Sequence, residues 1–178
     1  MDARKEADRV SRVAEAERTI LLDRAPLDLP LNLATWVAPN KVADWILEEL
    51  DRIHFCPSEA RGLARQPPED RSQVVLAVLL FAYSTQRFSS SEIVAACHSD
   101  QVLNRLCGGR MPFIDELEHF RRQHRVLLEN LLGQLLVRAV REQFLPVGHL
   151  PAGLRHSLMK RAVEQVDTAR HMSTLDTE

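Results

Sequence analysis

The sequence predicts an all-α protein, a compact helical domain that holds a helix-turn-helix-like unit and one long helix in its C-terminal half. Three observations carry this prediction. Apolar residues recur at three- and four-residue steps, which is the spacing of a helix face. Residues that cap helices and glycines that stop them separate the apolar segments. Hydrophobic residues make up 45% of the 178-residue chain and charged residues 27%, a composition typical of a globular protein with a core.

The chain is expected to divide into three segments. Residues 1–18 are rich in Ala, Glu and Arg and form a charged N-terminal helix or tail, which is either exposed or binds a partner. Residues 19–145 form the helical domain, which is entered through an extended connector with Pro26 and Pro30. Residues 146–178 add an amphipathic helix and a polar tail.

Two helices are predicted in the first half of the domain. Asn40 is placed as the N-cap of a helix over residues 41–53, whose apolar stripe includes Trp45. A polar loop follows. The next helix, over residues 69–83, is apolar on nearly every side. This pattern is typical of a helix surrounded by others, so we expect it to be the hub of the core.

Two short capped helices come next and form the helix-turn-helix-like unit. Ser89 or Ser90 caps the first, over residues 92–98, and Ser99 or Asp100 caps the second, over residues 101–106. Gly108-Gly109 then stops the second helix. Short helices joined by tight turns are the pattern of DNA-binding helix pairs.

The rest of the domain is predicted to be one long helix. It opens at Pro112 and carries apolar residues at helical spacing as far as Val140, for about eight turns and a length of about 45 Å. Gly133 inside it is expected to permit a close helix crossing. After a break, a helix over residues 152–170 carries an apolar stripe, which either covers the core or pairs with another chain.

Charge and cysteine usage limit the possible functions. The net charge is −2, from 23 basic and 25 acidic residues, so any contact with nucleic acid must come from a local patch. Cys56, Cys97 and Cys107 do not form a paired framework and are expected to be reduced, buried thiols in the cytoplasm. The N-terminus has no apolar signal segment, and the apolar run over residues 74–83 is too short to span a membrane.

No catalytic site, metal site or cofactor is predicted. Asp115, Glu116 and Glu118 are grouped, but they lie at a solvated helix start, whereas general acid–base catalysis needs desolvated or opposed groups. His119 and His124 are five residues apart, rather than the four that align two metal ligands on one helix face. The chain is therefore expected not to be an enzyme.

The remaining candidate site is a group of arginines around the start of the long helix. The candidate DNA-binding residues are Arg105, Arg110, Arg121, Arg122 and Arg125. Because Arg121 and Arg125 lie on adjacent helical turns, they are expected to face solvent and to contact phosphates. The alternative is a solvated helix face on which glutamates at 118 and 129 serve as ion-pair partners.

A further pattern consists of short segments in a fixed order. They are Pro67-Pro68, Ala82-Tyr83-Ser84-Thr85, Phe88-Ser89-Ser90, Ile93, Ala96-Cys97, Asp100, Leu106, Pro112, Leu117, Phe120-Arg121-Arg122 and His124. Together, over roughly residues 19–145, they resemble the N-terminal domain of DDE transposases from bacterial insertion sequences. The resemblance implies a helical domain that helps to hold transposon DNA, with the catalytic carboxylates on a separate RNase H-like domain.

The chain departs from this family in two ways. After the position of Phe144, the family has a strand with its first catalytic aspartate, whereas here residues 146–151 lead into an amphipathic helix. Several positions that are often basic in the family are polar here, namely Ser91, His98 and Asn104.

The predicted function is therefore a non-catalytic, transposase-derived DNA-binding or regulatory domain, with double-stranded DNA as its partner. Two alternatives remain open. The first is a protein–protein interaction module that has lost DNA binding and takes a protein partner or a second copy of the chain. The second is a subunit or remnant of a split transposase.

Overall fold

The computed structural model describes residues 32–53, 71–144 and 150–175. These ranges hold a short 3-10 helix, Leu33–Thr35, seven α-helices and no strand, which confirms the all-α prediction. The α-helices are α1 (Pro39–Arg52), α2 (Arg71–Ser84), α3 (Ser90–Ser99), α4 (Gln101–Cys107), α5 (Ile114–Gln123), α6 (Arg125–Phe144) and α7 (Ala152–Leu175).

Some predictions fall outside the described residues and remain predictions. They concern the charged N-terminal segment, the connector with its two prolines, the polar loop over residues 54–70 with Cys56, and the last residues of the tail.

Helix α2 lies at the centre of the fold. Every side chain from Val74 to Ser84 is buried, and helices α1, α4, α5 and α6 pack around them. Ser84 donates a hydrogen bond from its Oγ to the carbonyl oxygen of Phe81 at 2.7 Å, so its hydroxyl is satisfied inside the core. The prediction that this helix is the hub is confirmed. A helix that is apolar on every side is shielded from water only when other helices surround it.

Helix α1 begins one residue before the predicted N-cap. Its first residue is Pro39, so Asn40 lies inside the first turn and Ala38 occupies the cap position without a side-chain hydrogen bond. Proline explains the shift, because its fixed φ suits the first helical position and the N–H it lacks has no helical partner there.

Helices α3 and α4 meet at Asp100. Its carboxylate accepts hydrogen bonds from the N–H groups of Val102 at 2.9 Å and Leu103 at 3.3 Å, so of the two predicted caps the aspartate is the one used. Gly108 and Gly109 follow α4 with φ values of 55° and 78°. A left-handed backbone of this kind favours glycine, which confirms the predicted stop.

Replacing Asp100 by alanine is expected to lower the free energy of unfolding by about 0.5–2 kcal/mol, because the cap of α4 is lost. Asp100→Asn should lower it less, since asparagine still accepts from the same N–H groups and only the ion pair with Arg87, at 2.8 Å, disappears. Urea unfolding of the three proteins measures both effects.

The difference in free energy of unfolding between wild type and Asp100→Asn should also depend on pH. Burial alone would raise the pKa of Asp100, but hydrogen bonds from Arg87 and from the N–H groups of Leu103 and Val102 outweigh it, so the pKa lies below its ordinary value. The carboxylate therefore stabilises the fold above that ordinary pKa, and this contribution disappears as pH falls through the lowered one. If the difference in free energy of unfolding stayed constant from neutral to acid pH, the lowered pKa of Asp100 would be contradicted.

The predicted long helix is wrong in one respect, because two helices occupy its place. Helix α5 ends at Gln123, His124 leaves helical geometry with φ −117° and ψ 30°, and α6 starts at Arg125. The break lets the two segments face different neighbours. Helix α5 packs on α2 and α3, whereas α6 packs on α1, α2 and α7.

Helices α6 and α7 form an antiparallel hairpin. Gly133 lies opposite Met159 and Ala162, and Arg125, eight residues earlier, forms an ion pair at 2.9 Å with Asp167 further along α7. The close crossing predicted at Gly133 is therefore confirmed. The apolar stripe of α7 is buried in the core. Of the two predicted roles for this stripe, covering the core or pairing with another chain, the first is observed. The stripe consists of Leu154, Leu158, Ala162 and Val166.

Helix α7 also extends further than predicted. It continues past Arg170 to Leu175, into the segment expected to be a polar tail. No glycine or proline follows Arg170 within the helix, so nothing in the local sequence ends it earlier.

Candidate nucleic-acid interface

The five arginines predicted to contact DNA do not share one surface. Arg121 is buried, Arg105 and Arg125 are held in ion pairs, and Arg110 and Arg122 are exposed. A residue that contacts a phosphate must have its charged end accessible.

Arg121 is the clearest correction, since the prediction that it faces solvent is wrong. Only 8% of the residue is exposed. Its Nη1 donates to the Ser90 Oγ at 3.0 Å and its Nη2 to the carbonyl oxygen of Phe88 at 2.8 Å. The physical reason is helical phase. Arg121 follows Leu117 by four residues and therefore lies on the same, inward face of α5.

The guanidinium group of Arg121 also lies over an aromatic ring. Its central carbon is 5.5 Å from the ring centroid of Tyr83, which in turn lies 5.9 Å from the ring of Phe88. Burial raises the pKa of Tyr83 to about 12, although the charge of Arg121 opposes the change. Arg121 thus joins α5 to the end of α2 and the start of α3, which is a structural role.

Arg105 and Arg125 are engaged with carboxylates. Arg105 pairs with Asp44 of α1 at 2.9 Å, and Arg125 pairs with Glu129 at 2.6 Å and with Asp167 of α7 at 2.9 Å. The hydrogen bond with Glu129 raises the pKa of Arg125. For Arg125 the alternative prediction, an ion pair with Glu129 on the same helix, is the arrangement observed, whereas Arg105 pairs with a residue of a different helix. These carboxylates offset the positive charge of both arginines, which weakens the attraction of either one for a phosphate.

Arg110 and Arg122 are exposed and lie at opposite ends of α5. Arg110 stands in the loop before the helix, and Arg122 in its last turn has a side chain that is 70% exposed. The carboxylate of Glu118 approaches Arg122 only to 4.0 Å, a surface contact of the kind that contributes little. Arg122 is the ninth residue of α5 and therefore lies about 12 Å along the helix axis from its first residue, Ile114.

One of the acidic residues at the start of α5 is neutralised within the fold. Both carboxylate oxygens of Glu116 accept from Arg71, through the Nε at 2.8 Å and through Nη2. Arg71 holds the pKa of Glu116 below its ordinary value. The same guanidinium donates to the carbonyl oxygens of Arg110 and Met111, each at 3.0 Å. Arg71 therefore fixes the loop that carries Arg110.

An exposed apolar pair lies beside this loop and was not singled out from the sequence. Phe113 is 70% exposed and Ile114 is 42% exposed. The guanidinium carbon of Arg71 lies 5.6 Å from the Phe113 ring centroid. The sequence signal for Phe113 and Ile114 is their position, because they follow Pro112 directly and precede the acidic first turn of α5.

In the part of the chain that the structure describes, Cys97, Cys107 and His124 pack within the fold. Among the described residues, no group of three or more His, Cys, Asp or Glu could hold a metal ion. Cys97 and Cys107 are both buried, as predicted. A hydrogen bond with Cys107, together with burial, raises the pKa of Cys97, which keeps it a thiol rather than the thiolate that reacts or binds metal. The ring of His124 packs on Phe120, with centroids 4.4 Å apart.

Comparison of the chain with models of protein families, with curated proteins and with solved structures gives no significant match. In the ranges that the structure describes, no helix has both the length and the apolar character needed to cross a membrane.

Proposed function

We propose that this chain is a non-catalytic, cytoplasmic domain derived from a transposase, and that it acts as a regulator by binding the phosphate backbone of duplex DNA. The observation that carries the proposal is the exposure of Arg110, in the loop before α5, and of Arg122, in the last turn of α5. The resemblance to a domain that helps to hold transposon DNA supports the same partner. The pair of short helices α3 and α4, joined at its Asp100 cap, is expected to act as the helix-turn-helix-like unit.

Binding through these two arginines should be weak and independent of base sequence. Phosphate contacts position a protein on the duplex but carry no sequence information. Arg121 is buried, and Arg105 and Arg125 form ion pairs within the fold, so these three contribute less charge to a phosphate than the sequence implied. The nearby Asp115 is exposed as well and would oppose a phosphate placed close to it.

The affinity for duplex DNA is expected to fall as salt rises. Two neutralised phosphates give a log–log slope of about −1.8, at about −0.9 for each contact. The measurement is fluorescence anisotropy of a labelled duplex between about 50 mM and about 200 mM salt, a range in which phosphate contacts weaken strongly. The double variant Arg110→Ala, Arg122→Ala should flatten the slope by about 1.8 units.

The control for this titration is Arg52→Ala, which removes an exposed arginine from α1, far along the chain from α5. It should leave the slope unchanged. Wild-type protein that fails to bind duplex DNA even at the lower salt would refute the proposal.

A protein-interaction module is the second candidate, and the exposure of Phe113 and Ile114 favours it. Aromatic side chains and arginines are enriched among the residues that dominate protein interfaces, and here Phe113 lies beside Arg71 and close in sequence to Arg110. Under this alternative, no DNA binding is measurable at low salt, with or without the arginine substitutions.

A further inference from the structure

Two cysteine side chains meet where α3 packs against α4. Cys97 lies two residues before the end of α3, Cys107 is the last residue of α4, and neither has any exposed surface. Asn104 of α4 donates a hydrogen bond from its Nδ2 to the carbonyl oxygen of Cys97 at 3.4 Å. Because Asn104 and Cys107 are three residues apart, they share a helix face, and this face of α4 lies against the end of α3. The two thiols are joined by a hydrogen bond of their own.

The two thiols differ in their readiness to react. The hydrogen bond from Cys97 and the positive charge of Arg71 lower the pKa of Cys107, although burial opposes the change. The pKa of Cys97 is raised by the same hydrogen bond and by burial. The thiolate is the nucleophile in thiol chemistry, so Cys107 is the sulfur that reacts first, with a protonated Cys97 beside it.

The end of α4 gives a route to Cys107. The helix has seven residues, and the three residues that follow it, Gly108, Gly109 and Arg110, are exposed. A β-carbon built at Gly109 would meet no atom within 4 Å, so the backbone beside this helix end borders open space. Helix ends open at a lower free-energy cost than the whole fold. Opening of the last turn of α4 therefore presents Cys107 to a small reagent while α2 stays packed.

The arrangement of the pair suits an intramolecular bond. A disulfide needs Cβ atoms about 3.5–4.5 Å apart, and two thiols in hydrogen-bond contact are already close to this arrangement. The bond would close a loop over residues 97–107, which contains all of α4. It would therefore prevent the opening by which Cys107 becomes accessible.

We propose that Cys97 and Cys107 form a reversible disulfide that fixes α4 to the end of α3 under oxidising conditions. The reaction is exchange with a small disulfide of the glutathione type. The thiolate of Cys107 attacks one sulfur of this disulfide, which forms a mixed disulfide and releases one glutathione. The sulfur of Cys97 then attacks the mixed disulfide at Cys107 and displaces the second glutathione. In the net reaction the two protein thiols lose two electrons and two protons, which reduce one glutathione disulfide to two thiols.

This inference goes beyond the proposed function and does not depend on DNA binding. Cytoplasmic disulfides are usually transient and serve catalysis or redox sensing. A pair that closes only when its helix end opens belongs to the second kind. Its effect on the fold is to hold α4, the second helix of the helix-turn-helix-like unit, in place.

The experiment maps the linkage in the folded, full-length chain. The protein is incubated with excess glutathione disulfide, the remaining thiols are alkylated in denaturant, and tryptic peptides are analysed by mass spectrometry without reduction. Trypsin cuts after Arg105, so the peptide 88–105 holds the first cysteine of the pair and the peptide 106–110 holds the second. These two peptides should be recovered joined, and dithiothreitol should separate them.

Two single variants test the order of the steps. Cys97→Ala should accumulate the mixed disulfide on Cys107, because no second thiol is present to displace the glutathione. Cys107→Ala should leave Cys97 unmodified over the same time. Thermal melting verifies that each variant is folded. In wild type, the linkage should slow amide hydrogen exchange in the last turn of α4.

The outcomes decide the proposal without reference to DNA. Recovery of the two peptides singly and alkylated, from protein that was folded during the incubation, would overturn it. A linkage from either cysteine to Cys56 in place of the expected one would do the same, as would hydrogen exchange in α4 that the linkage leaves unchanged. The peptide map of wild type needs no variant, so a variant that fails to fold leaves the test intact.

Discussion

Replacing Leu79 or Leu80 by alanine is expected to lower the free energy of unfolding by about 2–5 kcal/mol, the largest effect of any substitution considered for this chain. Both leucines have no exposed surface and lie in the middle of α2. Helices on several sides hold the space around them, so the lost methyl groups leave a cavity that the surroundings can only partly fill. Small domains have a total stability of about 5–15 kcal/mol, so either variant should melt visibly earlier.

Chemical denaturation followed by far-ultraviolet circular dichroism measures this effect. The matched control is Val126→Ala, since Val126 is also a helical aliphatic residue but is 66% exposed. Its substitution should change the free energy of unfolding by no more than about 0.5 kcal/mol. Equal melting of wild type and both leucine variants would mean that α2 is peripheral.

Arg121→Ala is expected to destabilise the fold by about 2–4 kcal/mol, although the residue is an arginine on a charged helix. A hydrogen bond to a charged group contributes about 1.5–3 kcal/mol. Arg121 makes two, to Ser90 and to the carbonyl oxygen of Phe88, and because both come from one guanidinium group their contributions do not add in full. The substitution leaves both acceptors without this donor and removes the guanidinium group that packs on the Tyr83 ring.

The adjacent residue provides the control, because Arg122→Ala removes the same chemical group one position later. Its side chain is 70% exposed, so its loss should change the free energy of unfolding by no more than about 0.5 kcal/mol. Urea denaturation of both variants is the measurement. If the two substitutions had equal effects on stability, the structural role of Arg121 would be refuted.

The contrast between Arg121 and Arg122 shows which features the sequence predicts and which it does not. Both arginines follow Phe120 in a charged stretch, and composition alone does not separate them. The helical phase does, since Leu117 and Arg121 are four residues apart and share a face. The partners of Arg121 could not be predicted, because Ser90 lies 31 residues earlier in the chain and reaches it only through the packing of α3 on α5.

Other structural features were predictable when neighbouring residues determine them and were not predictable when distant contacts do. The central position of α2 was predictable because no side of it is polar. The cap at Asp100 and the glycine stop of α4 were predictable because each acts on its own neighbours in sequence. The break at His124 was not, since it lacks a glycine or proline and follows from the different surfaces on which α5 and α6 pack.

The basic character of residues 152–163, the first half of α7, was overlooked for another reason. The net charge of −2 averages over the whole chain, and the acidic residues are concentrated elsewhere. Counting charges within one predicted helix would have indicated it, because the first half of α7 has basic residues and no acidic ones.

The contact between Gly133 and Met159 makes the hairpin sensitive to oxidants. The thioether of Met159 occupies the space that a β-carbon at Gly133 would need, and this residue is only partly buried. Oxidation to the sulfoxide adds a polar oxygen to a flexible apolar side chain. The oxidised side chain no longer suits the narrow apolar space between the helices, so it must either swing out into water or push α6 and α7 apart. Oxidation of Met159 is therefore expected to weaken the packing of α7 on α6.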